Sequence, residues 1–233
     1  MRLVFRKTSL VDYPGKMASV LFFPGCNLRC PWCHNRDLVS GRGDLVSLES
    51  ALAHIEKRRS LLGAVVLSGG EPTLYGDLPA LIRRIKALAL RVKLDTNGMA
   101  PPALERLFLR EETRPDYIAL DLKLAPSRYT ALLPDQSRGI RGPGEALERS
   151  AALIRASGIP HEFRTLVLPR PHITEADIEA LAPLADEAPW YFRFFEPGNC
   201  LDPAWDNPET AAPEDREALM RRARELGKNG ICP

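Results

Sequence analysis

Six times along this chain a short apolar segment gives way to an amphipathic one, and that alternation limits the folds open to it. The apolar segments are residues 17–23, 64–67, 91–94, 117–120, 162–168 and 190–195. They are short and nearly continuous, the pattern of strands covered on both faces of a parallel sheet. Residues 47–62, 79–90, 102–109, 144–157, 175–185 and 214–226 instead repeat apolar side chains at helical spacing. The start and stop signals agree: Ser47 and Thr174 as N-caps, Pro79 in a first turn, Gly158 and Gly227 as stops. Such alternation predicts an α/β fold, a parallel sheet with helices outside. A complete eight-fold barrel takes about 250 residues. Six short units in 233 residues leave two architectures, a partial open barrel or a flat doubly wound sheet, and strand order would separate them. Residues 1–16 read as a lead-in loop turning at Pro14-Gly15, residues 17–195 as the βα units, and 196–233 as a polar loop with a closing helix. No linker divides the chain, so residues 1–233 are expected to form a single domain.

Composition excludes several function classes. The net charge is +2, too small to imply nucleic acid or an anionic membrane as partner. No apolar run approaches the roughly 20 residues that span a bilayer. The N-terminus, Met1 to Lys7, is basic but lacks the long apolar stretch of a signal peptide. A cytoplasmic location is the expectation. Five cysteines, an odd number with three crowded together, do not form a disulfide framework.

Those three lie in Cys26-Asn27-Leu28-Arg29-Cys30-Pro31-Trp32-Cys33, directly after the first apolar strand and a Pro24-Gly25 turn. The loop thus leaves the C-terminal end of a parallel strand, where α/β proteins gather their active sites. Thiolates at this spacing select zinc, copper(I) or an iron–sulfur cluster. Structural zinc wants a fourth ligand, and His34, adjacent to Cys33, would reach the same ion only with strain. A four-iron cluster is usually held by four cysteines. With three, one iron has no protein ligand and is open for chemistry.

The pattern Cys26-x3-Cys30-x-Trp32-Cys33 resembles the cluster loop of the radical S-adenosylmethionine (SAM) enzymes. The resemblance implies a partial (β/α)6 barrel and a [4Fe–4S] cluster on Cys26, Cys30 and Cys33. It implies that the open iron chelates SAM, whose reductive cleavage gives methionine and a 5′-deoxyadenosyl radical. Other strand ends extend the match. Gly69-Gly70-Glu71-Pro72 is similar to the family's GGEP motif, whose main chain holds the methionine end of SAM; Glu71 is expected to serve hydrogen bonding. Asp95-Thr96-Asn97-Gly98 and Asp121-Leu122-Lys123 resemble motifs of the glycyl-radical-enzyme activases. These imply that Asp121 and Lys123 sit near SAM and that Asp95, Thr96 and Asp121 hold a monovalent cation. Arg164, inside an otherwise apolar strand, needs a partner; by resemblance it contacts the SAM ribose or carboxylate, and pattern alone equally allows an exterior Arg paired to a helix. Trp32 would pack beside the cluster. The sixth strand end, Arg193-Phe194-Phe195-Glu196, lacks the Tyr-His pair of some activases, so no adenine contact is assigned there.

Residues 34–68 carry no cysteine, so no second cluster is expected. Cys200 reads as a small buried residue and Cys232 as a free tail thiol. Within the activases, the small size, His34-Asn35 and the Ser9-to-Lys16 lead-in resemble those serving anaerobic ribonucleotide reductase. The implied partners are a glycyl radical enzyme as substrate and a flavodoxin- or ferredoxin-type electron donor, with no side chain acting as acid or base. Three alternatives stay open: an activase of pyruvate formate-lyase or another glycyl radical enzyme, a small-molecule radical SAM enzyme such as a deazaguanine synthase, and a zinc- or cluster-binding interaction protein.

Overall fold

A computed structural model of the chain describes residues 1–134, 142–185, 187–206, 213–226 and 230–231. Among the described residues nine strands form one sheet: β1 Arg2–Ser9, β2 Ala18–Phe23, β3 Leu45–Ser47, β4 Ala64–Gly69, β5 Arg91–Thr96, β6 Tyr117–Asp121, β7 His161–Val167, β8 Trp190–Phe194 and β9 Gly230–Ile231. Seven α-helices accompany them among those residues: α1 Arg36–Val39, α2 Leu48–Lys57, α3 Leu78–Ala87, α4 Pro101–Phe108, α5 Pro143–Ala156, α6 Glu175–Ala185 and α7 Pro213–Glu225.

The strand order is β3-β1-β2-β4-β5-β6-β7-β8-β9. From β2 onward each strand pairs in parallel with the next of the six expected strands. A doubly wound sheet reverses direction at a switch point; this one does not, so the winding is that of a barrel. Its end strands are β3 and β9, and the barrel is partial.

Local signals work as the sequence predicts. Ser47 Oγ accepts the Ser50 N–H and caps α2. Asp177 Oδ2 accepts the Thr174 N–H at 2.9 Å, the reciprocal contact at the start of α6. Gly158 takes φ +69° after α5. Gly227 lies outside the described residues.

Three departures stand out. The lead-in contains strand β1, antiparallel to both β2 and β3. Its exposed Arg6 and Lys7 hide the strand pattern, because β1 joins the sheet antiparallel and keeps part of its length in water. The helix expected to run to residue 62 stops at Lys57. The short α1 and β9 carry too few periodic residues to be read in advance.

Two apolar clusters hold the molecule together. The larger packs the outer face of the sheet, with Leu21, Leu67, Ile118 and Phe192, against helical residues such as Ile55, Ile82, Leu104 and Ile178. Burying each such side chain contributes roughly 1.5–3 kcal/mol. The smaller cluster, Tyr13, Ala18, Val20, Ala64 and Val66, belongs to the inner face. Parallel register carries that face onward, from Val20 opposite Val66 to Lys93 and then Tyr117. The barrel interior therefore changes from apolar to charged as it crosses from β4 to β5.

Candidate active site

The strand ends converge on a cavity of about 340 Å³. Its wall includes Cys26, Cys30, Trp32 and Cys33, together with Gly69, Gly70, Asp95, Thr96, Asp121, Lys123 and Arg164. One predicted site residue is missing from that wall. Glu71 is fully buried beside it: Oε1 accepts from Thr73 N–H, Thr73 Oγ1 and Thr96 Oγ1, and Oε2 accepts the Asn97 N–H at 2.7 Å. With both oxygens engaged it braces the site and does not face it. Burial pushes its carboxyl above the usual range, against those hydrogen bonds.

The cysteine loop is held from several sides. Cys33 N–H donates to Cys30 O at 3.0 Å, and Arg29 N–H to Leu132 O at 2.7 Å. Asn97 Nδ2 donates to Asn27 Oδ1 at 2.8 Å and lies 3.6 Å from Cys26 Sγ. Asn35 Nδ2 donates to Gly69 O at 3.0 Å, joining the loop to the end of β4. The main chains meet there directly: Glu71 N–H donates to Gly25 O at 2.9 Å. A Cβ at Gly70 would stand 1.8 Å from that oxygen, and one at Gly69, φ +113°, would stand 2.5 Å from Phe23 N. Glycine at both positions is a packing requirement.

Behind the loop, Trp32 packs on Trp205 with ring centroids 5.3 Å apart, and Trp205 meets Phe195 edge-on at 5.4 Å. Asp202 N–H donates to Pro31 O at 2.9 Å. The segment after β8 thus backs the loop. Cys200, fully buried, belongs to this segment, as its small-residue reading implies. Cys232 lies outside the described residues.

The inner face supplies an ionic network. Asp121 Oδ1 accepts from Arg164 Nε at 3.0 Å and Oδ2 from Lys123 Nζ at 3.1 Å. Arg164 therefore points inward, and the exterior reading is corrected. Asp95 Oδ2 accepts from Ser68 Oγ at 2.8 Å and lies 3.5 Å from Arg164 Nη1. Lys93 Nζ stands 3.1 Å from Asp95 Oδ1 and 3.7 Å from Glu162 Oε1. The turn after β6 is fixed by Tyr129, whose hydroxyl accepts the Lys123 N–H at 2.9 Å. Burial alone would raise the Asp121 carboxyl, but Arg164 and Lys123 outweigh it and hold it well below the usual carboxylate range. Burial would likewise lower Lys123, and Asp121 reverses the sign.

The donor set suits an iron–sulfur cluster. Three thiols face one cavity, and among the described residues no group of three or more His, Cys, Asp and Glu closes around a single ion. A cluster asks for something different, one thiolate at each of several separate corners. Burial holds the Cys26 thiol above its usual value and pushes Cys30 up to about 12. Iron would therefore displace protons on binding. The oxygens expected to hold a monovalent cation fit less well. Asp95 Oδ2 accepts from Ser68, Asp95 Oδ1 makes no hydrogen bond but has Lys93 Nζ at 3.1 Å, and Thr96 Oγ1 is turned to Glu71.

Sequence reasoning missed Ser68, Lys93, Asn35 and Asn97. Lys93 had a signal: it lies two residues before Asp95 on the same strand, so the two face the same way.

Residues 20–185 match the Radical SAM superfamily. This chain belongs to that superfamily and is a radical SAM enzyme, which implies a [4Fe–4S] cluster and SAM as its cofactors. A Methanocaldococcus jannaschii protein, provisionally named a glycyl-radical enzyme activating enzyme, is 31% identical over 222 residues, covering 94% of this chain and 87% of its own. The pyruvate formate-lyase 1-activating enzyme of Escherichia coli is 34% identical over 128 residues, 51% of this chain and 50% of that protein. Among solved structures, a radical SAM methyltransferase from Sphaerobacter thermophilus superposes with a TM-score of 0.66 at 16% identity, covering 95% of this chain and 67% of that one. That likeness speaks for the fold. No described helix is long and apolar enough to cross a membrane.

Proposed function

We propose that this enzyme activates a glycyl radical enzyme, with an anaerobic ribonucleotide reductase as its partner. The observation that carries the proposal is the 31% match to an activating enzyme across nearly the whole of both chains. The Ser9-to-Lys16 lead-in and His34-Asn35 favour the reductase partner over pyruvate formate-lyase, whose activase aligns over only 51% of this chain.

In this reading Cys26, Cys30 and Cys33 would hold the cluster. When bound, the cluster and SAM would supply the one-electron chemistry for hydrogen-atom abstraction from the partner's glycine. The electron comes from a flavodoxin- or ferredoxin-type donor. The protein's own residues bind and orient. The Gly69-Gly70 main chain lies against the cysteine loop at the methionine end. Lys123 and Arg164, fixed by Asp121, offer charge to the SAM carboxylate or ribose. Trp32 and Trp205 close the back of the loop to solvent. No side chain takes or gives a proton.

Anaerobic reconstitution with iron, sulfide, SAM and a reductant, followed by co-incubation with candidate partners, tests this. A glycyl radical seen by electron paramagnetic resonance, with one 5′-deoxyadenosine released per radical, is the expected result. Release of 5′-deoxyadenosine without a radical on any partner would point to a small-molecule substrate.

A further inference from the structure

Lys93 carries a consequence beyond that reading. Its side chain is 4% exposed, and its ammonium is enclosed on four sides. Nζ donates to the Asp12 carbonyl oxygen at 2.8 Å, stands 3.1 Å from Asp95 Oδ1 and 3.7 Å from Glu162 Oε1, and lies 5.9 Å from the centre of the Tyr117 ring. Two carboxylates, a carbonyl and a ring face make the surroundings of a buried monovalent cation.

Within this ion-pair network the charges pair off. Asp95, Asp121 and Glu162 face Lys93, Lys123 and Arg164. A further free cation would add surplus positive charge to this paired network, and buried charge is costly unless paired. Most of the oxygens it would need are also engaged by hydrogen bonds, and the exception, Asp95 Oδ1, already has the Lys93 ammonium 3.1 Å away. Lys93 and Ser68 hold Asp95, Glu71 takes the Thr96 hydroxyl, and Arg164 and Lys123 hold Asp121.

We propose that the Lys93 ammonium is a tethered cation standing in place of a free alkali ion. It fixes Asp95, and through Arg164 the Asp121 carboxylate, in the arrangement that receives SAM. An ammonium is close to potassium in size and equal to it in charge, and a covalent tether removes the entropy cost of capturing a free ion. SAM binding then needs no potassium or sodium. The inference rests on the cavity being the SAM site.

The experiment is anaerobic calorimetry of SAM binding to the cluster-loaded enzyme in potassium, sodium and tetramethylammonium chloride at equal ionic strength. Tetramethylammonium is too large to enter such a site. The expected dissociation constants agree within about twofold across the three salts. Titration with thallium(I), a potassium surrogate, is expected to give no saturable change in the thallium resonance. Lys93→Ala should bind SAM at least about tenfold more weakly in tetramethylammonium and recover with potassium or methylammonium. Lys93→Met, closer in volume, serves where the alanine variant does not fold, and the wild-type comparison needs no variant. A saturable potassium requirement in the wild type overturns the tethered-cation inference alone, as does a folded variant that binds normally in tetramethylammonium. No SAM binding in any salt overturns the reading of the cavity as well.

Discussion

A methyl group at Gly70 would lie 1.8 Å from the Gly25 carbonyl oxygen, well inside contact distance. The neighbour is main chain, so nothing flexible can yield. Gly70→Ala should therefore separate the end of β4 from the cysteine loop. We expect a loss of roughly 2–4 kcal/mol, read by denaturant unfolding, together with weakened SAM binding; a variant of wild-type stability would refute the close approach. Cys30 is a different case, because alanine in its place leaves only a small gap. Cys30→Ala should keep the wild-type circular dichroism spectrum and abolish 5′-deoxyadenosine release. Cleavage surviving in that variant would remove Cys30 from the ligand set. Asp121 links charge to pH. Its carboxyl is held below the value it has in the unfolded chain, so its stabilising contribution is present above about pH 4 and is lost as pH falls below that. Asp121→Asn should then melt below the wild type at pH 7, with the gap narrowing toward pH 3. A gap unchanged between those pH values would mean the ion pairs contribute nothing.

Among the elements, the segment following β8 does more than connect. Phe195, Cys200, Asp202 and Trp205 together back the cysteine loop, with Trp205 only 8% exposed. Trp205→Ala should cost about 3–5 kcal/mol, the usual range for removing a buried indole. It should also speed the loss of the cluster's visible absorbance in air, since Trp32 would lose its packing partner. Decay at the wild-type rate would show that the loop needs no support from this side. Strand β1 makes a related point about chain ends. It adds an antiparallel pairing to β2, and the loop that follows delivers Asp12 to Lys93 and Tyr13 to the inner apolar cluster. The lead-in is thus a structural part of the barrel interior.

For the whole molecule, the proposed reading puts SAM at the mouth of the open barrel, and binding to the native state alone would raise its stability. SAM at about a hundredfold excess over its dissociation constant should add about 2.7 kcal/mol. That corresponds to a rise in melting temperature of roughly 5–10 °C for a chain of this length; no rise would mean that the folded enzyme does not bind SAM. The sequence alone determined the α/β class, the six strands, the positions of most helices and the gathering of three cysteines in one loop. These rest on local chemistry: periodicity, caps, turns and thiol spacing within one loop. Asp95 and Asp121 were legible as carboxylates at strand ends, whereas the pattern around Arg164 left inward and exterior positions equally open. Tertiary structure decided the strand order, which separates a barrel from a flat sheet, and the pairing of β1. It also decided the company each inward residue keeps. Lys93 is one more basic residue in a string of letters; only parallel register, setting it between Val66 and Tyr117 and beside Asp95 and Glu162, makes it a buried cation with carboxylates around it. Such neighbours come from strands far apart in the chain, and no local pattern encodes them.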